Sequence, residues 1–293
     1  MSDPVIVGVD GSASSLEAVG VGAREAQLRG SALRIVHAFG YLPGHYPTVG
    51  SLFENADQSL EALAHGVVGR AEAHAHEVAP GLEVTRSVVV GDALEVLEAE
   101  ARSAALAVVG GSGHGGFAGL LLGSTAQQLA SHGLCPLIVV RGTPDPAGAV
   151  VLAVDGSEAG AAAVEFAFAE AALRQAPLVA VHAWNAWNEH AYEGPADPLS
   201  AAVADAGRIV RAEQRLLDDA VDTWQKEYPQ VVVERRLVRS RTRPALIEAS
   251  RNAQLVVVGA RGHGGFSGLL LGSVSQALLH HAHCPVAVVR GRK

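Results

Sequence analysis

Short, nearly unbroken apolar runs recur along this chain, and several end abruptly in Gly, Asp or Ser. In the first half they are Val5–Val9, Leu33–Ala38, Leu82–Val90, Leu106–Val109 and Cys135–Arg141. They are rich in β-branched residues and too short for helices, so they predict buried strands. The segments between them have helical periodicity. From Ala13 to Arg29, the residues Leu16, Val19, Ala23, Ala26 and Leu28 give one apolar face, Ser12 offers an N-cap and Gly30 a stop. Further helices are expected over about Ala56–Ala79, Asp92–Arg102 and from Ser124 onward. A loop rich in Gly, Pro and Tyr runs from Gly40 to about Ser51.

After Gly142–Gly148, which reads as a linker, the pattern restarts. Val150–Ser157 matches Val5–Ser12, Val179–Ala183 matches Arg34–Ala38, and later strands fall at Val231–Val238, Leu255–Val258 and Val286–Val289. A repeat this long predicts two copies of one domain, at 1–142 and 149–293. Strands apolar on both faces, alternating with helices, predict an α/β fold with a parallel sheet covered on both sides. Right-handed crossovers favour a doubly wound, Rossmann-like sheet of five strands per half, in the order 3-2-1-4-5. Its ligand crevice lies where the order reverses, between strands 1 and 4 at their carboxyl ends. Asp10 ends strand 1 and Gly110 ends strand 4, so two features far apart in sequence converge there.

The strongest repeat follows strand 4. Gly113–Ser124 and Gly262–Ser273 differ only at Ala118 versus Ser267. So many glycines in register predict backbone that a ligand approaches closely. Successive N–H groups of such a loop, with the N-terminus of the following helix, favour an anion such as a phosphate chain. The loop lacks the lysine of a Walker A motif, and no G-x-G-x-x-G follows strand 1. Ser124 and Ser273 either cap their helices or bond a phosphate oxygen. Asp10 and Asp155 accept from ribose hydroxyls or an adenine amine, hold a metal attached to the nucleotide, or cap the adjacent turn. His114 and His263 either donate to phosphate or stand as exposed loop histidines. His37 and His182, beside the crevice, read as structural, while Ala38 and Ala183 line an adenine slot.

Composition narrows the choice. Hydrophobic residues make up 49% of the 293-residue chain and aromatics 4%, which suits Val/Leu/Ile/Ala cores. A net charge of -8 disfavours nucleic acid and anionic membranes as partners. Without a leader-like N-terminus or a membrane-length apolar run, the expected location is the cytoplasm. The two cysteines, Cys135 and Cys284, each precede a Pro and a last strand, and read as small buried apolar residues.

With these motifs in hand, the chain resembles a tandem universal stress protein. The resemblance rests on the spacing G-x2-G-x9-G-[ST], seen as Gly110, Gly113, Gly123, Ser124 and again as Gly259, Gly262, Gly272, Ser273. The Val-Asp-Gly-Ser strand ends and the Cys-Pro leads join it. Family members with the glycine motif bind ATP, so the resemblance implies one ATP in each half, with or without Mg. It implies nucleoside contacts from Asp10 and Asp155, and phosphate contacts from Gly110, Gly113, His114, Gly115, Gly116, Gly123, Ser124 and Thr125. In the second half these are Gly259, Arg261, Gly262, His263, Gly264, Gly265, Gly272, Ser273 and Val274. Gly8, Ala38, Ala153 and Ala183 complete the two sites. The resemblance further implies pseudo-twofold pairing through fifth strands, a homodimer, and a regulatory role under stress through an unidentified protein partner. Antiparallel fifth strands would keep Cys135 and Cys284 beyond disulfide reach.

The halves differ at the rim. Gly8 becomes Ala153, Ser112 becomes Arg261, and Val90-Gly91-Asp92 becomes Arg239-Ser240-Arg241. The second crevice is therefore more basic and is expected to bind ATP at least as tightly as the first. The sequence offers no evident catalytic lysine or water-activating base, so the expected role is an ATP-retaining switch rather than an enzyme. The alternatives are an ATPase or nucleotidyl transferase assisted by His114, His263 or Arg261, and an interaction scaffold without nucleotide.

Overall fold

The computed structural model describes residues 3–40, 54–113, 122–185, 198–262 and 270–291; over 54–60 and 198–206 it describes the backbone alone. The chain divides into two compact units, Met1–Arg141 and Gly142–Lys293.

In the first unit, strand β1 (Val5–Gly8) is followed by helix α1 (Ala13–Arg29), β2 (Leu33–Phe39), α2 (Glu54–Val78) and β3 (Val84–Val90). Then come α3 (Ala93–Ala101), β4 (Leu106–Gly110), α4 (Ser124–His132) and β5 (Leu137–Val140). The strands lie in the order β3-β2-β1-β4-β5, all parallel. This is the expected doubly wound sheet, with the reversal between β1 and β4.

Local chemistry explains the boundaries. Ser12 caps α1 by accepting from the Ser15 N–H at 3.1 Å, and Gly30 closes it at φ 60° in the left-handed region. Strand β3 begins at Val84 rather than Leu82, because the Leu82 N–H still turns back to the Ala79 carbonyl. On one face the core forms where Val5 and Val7 of β1 meet Ala18, Val19, Ala23 and Ala26 of α1, while Ile6 turns to the other face; all of them are buried. Helix α1 packs with α2, and α3 with α4, so the two pairs cover opposite faces of the sheet.

The second unit repeats the plan with β6 (Ala149–Ala153), α5 (Ala161–Arg174), β7 (Leu178–Trp184), α6 (Pro198–Glu227) and β8 (Val233–Arg239). It continues with α7 (Thr242–Ala249), β9 (Ala253–Gly259), α8 (Ser273–His281) and β10 (Val286–Val289). Its parallel order is β8-β7-β6-β9-β10. Residues 142–148, read from sequence as a linker, are tied down within this unit: the Asp145 N–H donates to the Ala253 carbonyl, and the Gln254 amide to the Gly148 carbonyl.

Candidate functional site

At the carboxyl ends of β1 and β4 the first unit holds a cavity of about 470 Å³. That volume lies in the range of about 300–1,000 Å³ common to small-molecule sites. Gly8, Asp10, Ala38, Gly110, Gly113, Gly123, Ser124 and Thr125, all singled out from sequence, line it together. His114, Gly115 and Gly116, like His263, Gly264 and Gly265, lie outside the described residues.

Asp10 has two faces. Its Oδ1 accepts from the Ser12 N–H at 2.9 Å and the Ser12 hydroxyl at 2.6 Å, which shapes the turn into α1. Its Oδ2 lies against Gly113, where an added β-carbon would stand 2.8 Å away. The second unit matches: Asp155 Oδ1 accepts from the Ser157 N–H and hydroxyl at 3.0 and 2.7 Å, and its Oδ2 presses on Gly262. The turn-capping role foreseen for these carboxylates is real, and the other oxygen of each lies against the first part of the glycine loop.

The loop is closed at its base. The Gly111 N–H donates to the Val140 carbonyl at 3.0 Å, and the Gly123 N–H returns to the Gly111 carbonyl at 2.8 Å. In the second unit Ala260 donates to Val289, and Gly272 to Ala260, at 2.7 and 2.8 Å. Gly110 is glycine for a packing reason, since a β-carbon there would lie 2.5 Å from Ser14 Oγ and 2.8 Å from the Ser14 carbonyl oxygen. The Ser112 N–H donates to that same Ser14 hydroxyl at 3.4 Å.

The structure removes one reading of Ser124 and Ser273. The N-caps of α4 and α8 are Gly123 and Gly272, and neither helix has a side-chain cap. Ser124 and Ser273 open their helices instead, with Thr125 and Val274 next. First-turn N–H groups without a cap favour an anion at this end of the crevice.

The opposite wall is apolar. Val36, Ala38, Ala93, Leu97 and Val109 supply it. Ala93 and Leu97 come from α3, which carries no motif, and sequence reading missed them. Ser15, from the first turn of α1, was missed as well. Gly8 lies under Leu97, where a β-carbon would stand 2.9 Å from the leucine Cδ1, and at the equivalent place the second unit carries Ala153.

The strand-end histidines act as struts. His37 donates from Nδ1 to the Val9 carbonyl at 2.7 Å, and His182 from Nδ1 to the Val154 carbonyl at 2.8 Å. The Nε2 of His182 also meets Glu213 of α6 at 2.5 Å.

The basic rim of the second unit is present. Arg239 stacks over Trp184 at 5.6 Å, and Arg261 follows β9 on an exposed turn. Arg290 follows β10 and donates to the Leu270 carbonyl at 3.3 Å. Its guanidinium pKa is lowered by burial first and by the charge of Arg261 second. Among the described residues no group of three His, Cys, Asp or Glu side chains is placed to hold a metal, and no helix is long and apolar enough to cross a membrane.

The family described as "Universal stress protein family" matches residues 1–141 and 147–290. Universal stress protein Rv1996 of Mycobacterium tuberculosis is 36% identical over 305 residues, covering 98% of this chain and 94% of its own. The crystal structure of a universal stress protein from Archaeoglobus fulgidus superposes with a TM-score of 0.68 at 16% identity, covering 99% of both chains, a likeness of fold. A universal stress protein solved in complex with cAMP is 27% identical over 47% of this chain and 97% of its own, with a TM-score of 0.38.

Proposed function

The chain belongs to the universal stress protein family, and from that premise we propose that each half binds one adenine nucleotide, ATP foremost, and that binding switches the surface shown to a partner. One observation carries the reading: a single cavity of about 470 Å³ joins an apolar slot to an uncapped helix end and a glycine loop. The slot at Val36, Ala38 and Leu97 suits a flat base. Asp10 Oδ2, between slot and loop, suits a ribose hydroxyl. Gly110, Gly113, Ser124 and Thr125 supply donors for phosphate oxygens, while Gly123, its own N–H held by the Gly111 carbonyl, lets a phosphate come close to the backbone. A magnesium ion carried by the nucleotide would shield phosphate charge.

We further propose that the nucleotide is retained rather than turned over. Asp10 is the one ionisable side chain among the described lining residues, and its Oδ1 is committed to the Ser12 turn. Retention makes ATP a stabilising ligand. At a thousand times its dissociation constant it favours the bound form by about 4 kcal/mol, enough to set which surface a partner meets. The proposed setting is the cytoplasm, with the chain as a homodimer.

Protein purified without added nucleotide, then denatured, releases what it carried. Chromatography and mass should identify ATP at about two per chain. ADP or AMP alone moves the reading to an enzyme, and an empty protein that also refuses added ATP leaves a scaffold.

A further inference from the structure

The two crevices differ at one hydrogen-bonding position, beside the slot assigned to the base. In the first unit the Val9 N–H donates to the Val36 carbonyl at 2.9 Å, and the Gly91 N–H to the Phe39 carbonyl at 3.0 Å. Carbonyls alternate sides along a strand, so the Ala38 carbonyl faces the same side as that of Val36. Strand β1 ends at Gly8, and the N–H that follows is already held by Val36. The Ala38 carbonyl therefore opens toward the cavity that Ala38 lines. The neighbouring residue across the slot is Ala93, the first of α3, which has no polar side-chain atom.

The second unit repeats the backbone but not the neighbour. The Val154 N–H donates to the Val181 carbonyl, and the Ser240 N–H to that of Trp184, which directs the Ala183 carbonyl past the end of β6. Helix α7 begins with Thr242 where α3 begins with Ala93. The Thr242 hydroxyl donates to the Ala183 carbonyl at 3.3 Å.

We propose that Thr242 sets the purine selectivity of the second crevice, which accepts 6-oxo purine nucleotides alongside 6-amino ones, while the first is confined to 6-amino bases. A bare carbonyl can only accept. It rewards an exocyclic amino group and repels a keto oxygen. A hydroxyl both accepts and donates, and it rotates to suit. Facing an amino base, Thr242 accepts from it while donating to Ala183. Facing a keto base, it turns its proton to the keto oxygen. The cost of opposing two acceptors in a partly buried slot corresponds to about ten- to a hundredfold in affinity. This inference rests on the nucleotide reading above, with the base beside Ala38 and Ala183.

Single-site proteins test it. Gly123→Val and Gly272→Val each fill the neck of one loop, at N-cap positions whose φ of -61° and -71° accept valine. Dissociation constants for ATP and inosine triphosphate are then measured by calorimetry on each. The inosine-to-adenosine ratio should be about tenfold or more in the first crevice and within about threefold in the second. Thr242→Ala should raise the second ratio to that of the first, Thr242→Ser should leave it low, and Ala93→Thr should lower the first. Equal ratios in the two crevices, or ratios that none of these variants moves while ATP still binds, overturn the proposal. Failure of the unaltered protein to bind ATP overturns the nucleotide reading, and this inference falls with it.

Discussion

Gly262 lies so close to Asp155 that a β-carbon on it would stand 2.1 Å from the carboxylate oxygen Oδ2; Gly113 stands in the same relation to Asp10, at 2.8 Å. An alanine at either glycine must push the carboxylate away from the loop, or the loop from the carboxylate. Gly113→Ala and Gly262→Ala should each weaken ATP binding in their own crevice at least tenfold, or about 1.4 kcal/mol. If the second crevice is at least as tight as the first, Gly262→Ala should remove the tighter class of ATP binding that calorimetry resolves in the parent. Binding left mostly intact would reject that ranking.

Arg261 and Arg290 place two like charges at the ends of neighbouring strands, and the guanidinium of Arg290 feels the other. A phosphate near both relieves the repulsion. Arg261→Ser, which restores the first-half residue, should weaken the second crevice about tenfold at low salt. It should also flatten the salt dependence there, because exposed charges are screened within about 10 Å at 0.1 M salt. Titrations at two ionic strengths on the Gly123→Val background read both effects.

Helix glycines in the first unit divide by what surrounds them. A β-carbon on Gly22 would stand 2.2 Å from Cγ2 of the fully buried Val7, whereas Gly66 and Gly69 of α2 have nothing within 4 Å. Helix propensity alone favours alanine by about 1 kcal/mol at each. Overpacking costs about 1–3 kcal/mol and wins at Gly22. Urea denaturation should show Gly66→Ala and Gly69→Ala more stable than the parent, and Gly22→Ala less stable.

Burial pushes the Cys135 thiol from its ordinary 9.0 to about 11 and the Cys284 thiol to about 12, against weaker lowering by backbone hydrogen bonds. The folded protein therefore holds thiol protons that the unfolded chain releases above about pH 9. This contribution is complete below pH 9 and is lost as pH rises through 11 and 12. Above pH 9 the parent should lose stability more steeply than a Cys135→Ala, Cys284→Ala double variant. At pH 8 both thiols should alkylate slowly in the native state and rapidly in urea.

Features set by neighbours in sequence were legible. The bounds of α1 follow from Ser12 and Gly30, the parallel sheet from apolar runs too hydrophobic to face water, and its strand order from right-handed crossovers. The convergence of Asp10 with the glycine loop followed from topology. What escaped was chemistry supplied from a distance by residues without a motif. Ala93 and Leu97 reach the crevice because α3 begins beside it. Ser14 dictates glycine at Gly110, although nothing in the spacing of either announces the pairing. Ser124 looked like a cap by composition, but a glycine one position earlier has the extended backbone of the N-cap, at φ -61° and ψ 143°. Thr242 differs from Ala93 by a hydroxyl whose target, the Ala183 carbonyl, is visible only once strands are aligned.

The hydrogen bonds from Gly123 to Gly111 and from Gly272 to Ala260 tie each glycine loop shut at its root. The sequence between such anchors is an exchangeable part: residues 112–122 and 261–271 differ only at Ser112 versus Arg261 and Ala118 versus Ser267. Transplanting one into the other half should carry the phosphate-side character of its donor crevice with it, while base preference stays behind with α3 or α7. On the nucleotide reading proposed above, each half would treat the two ends of its ligand as separately inherited traits, free to be recombined.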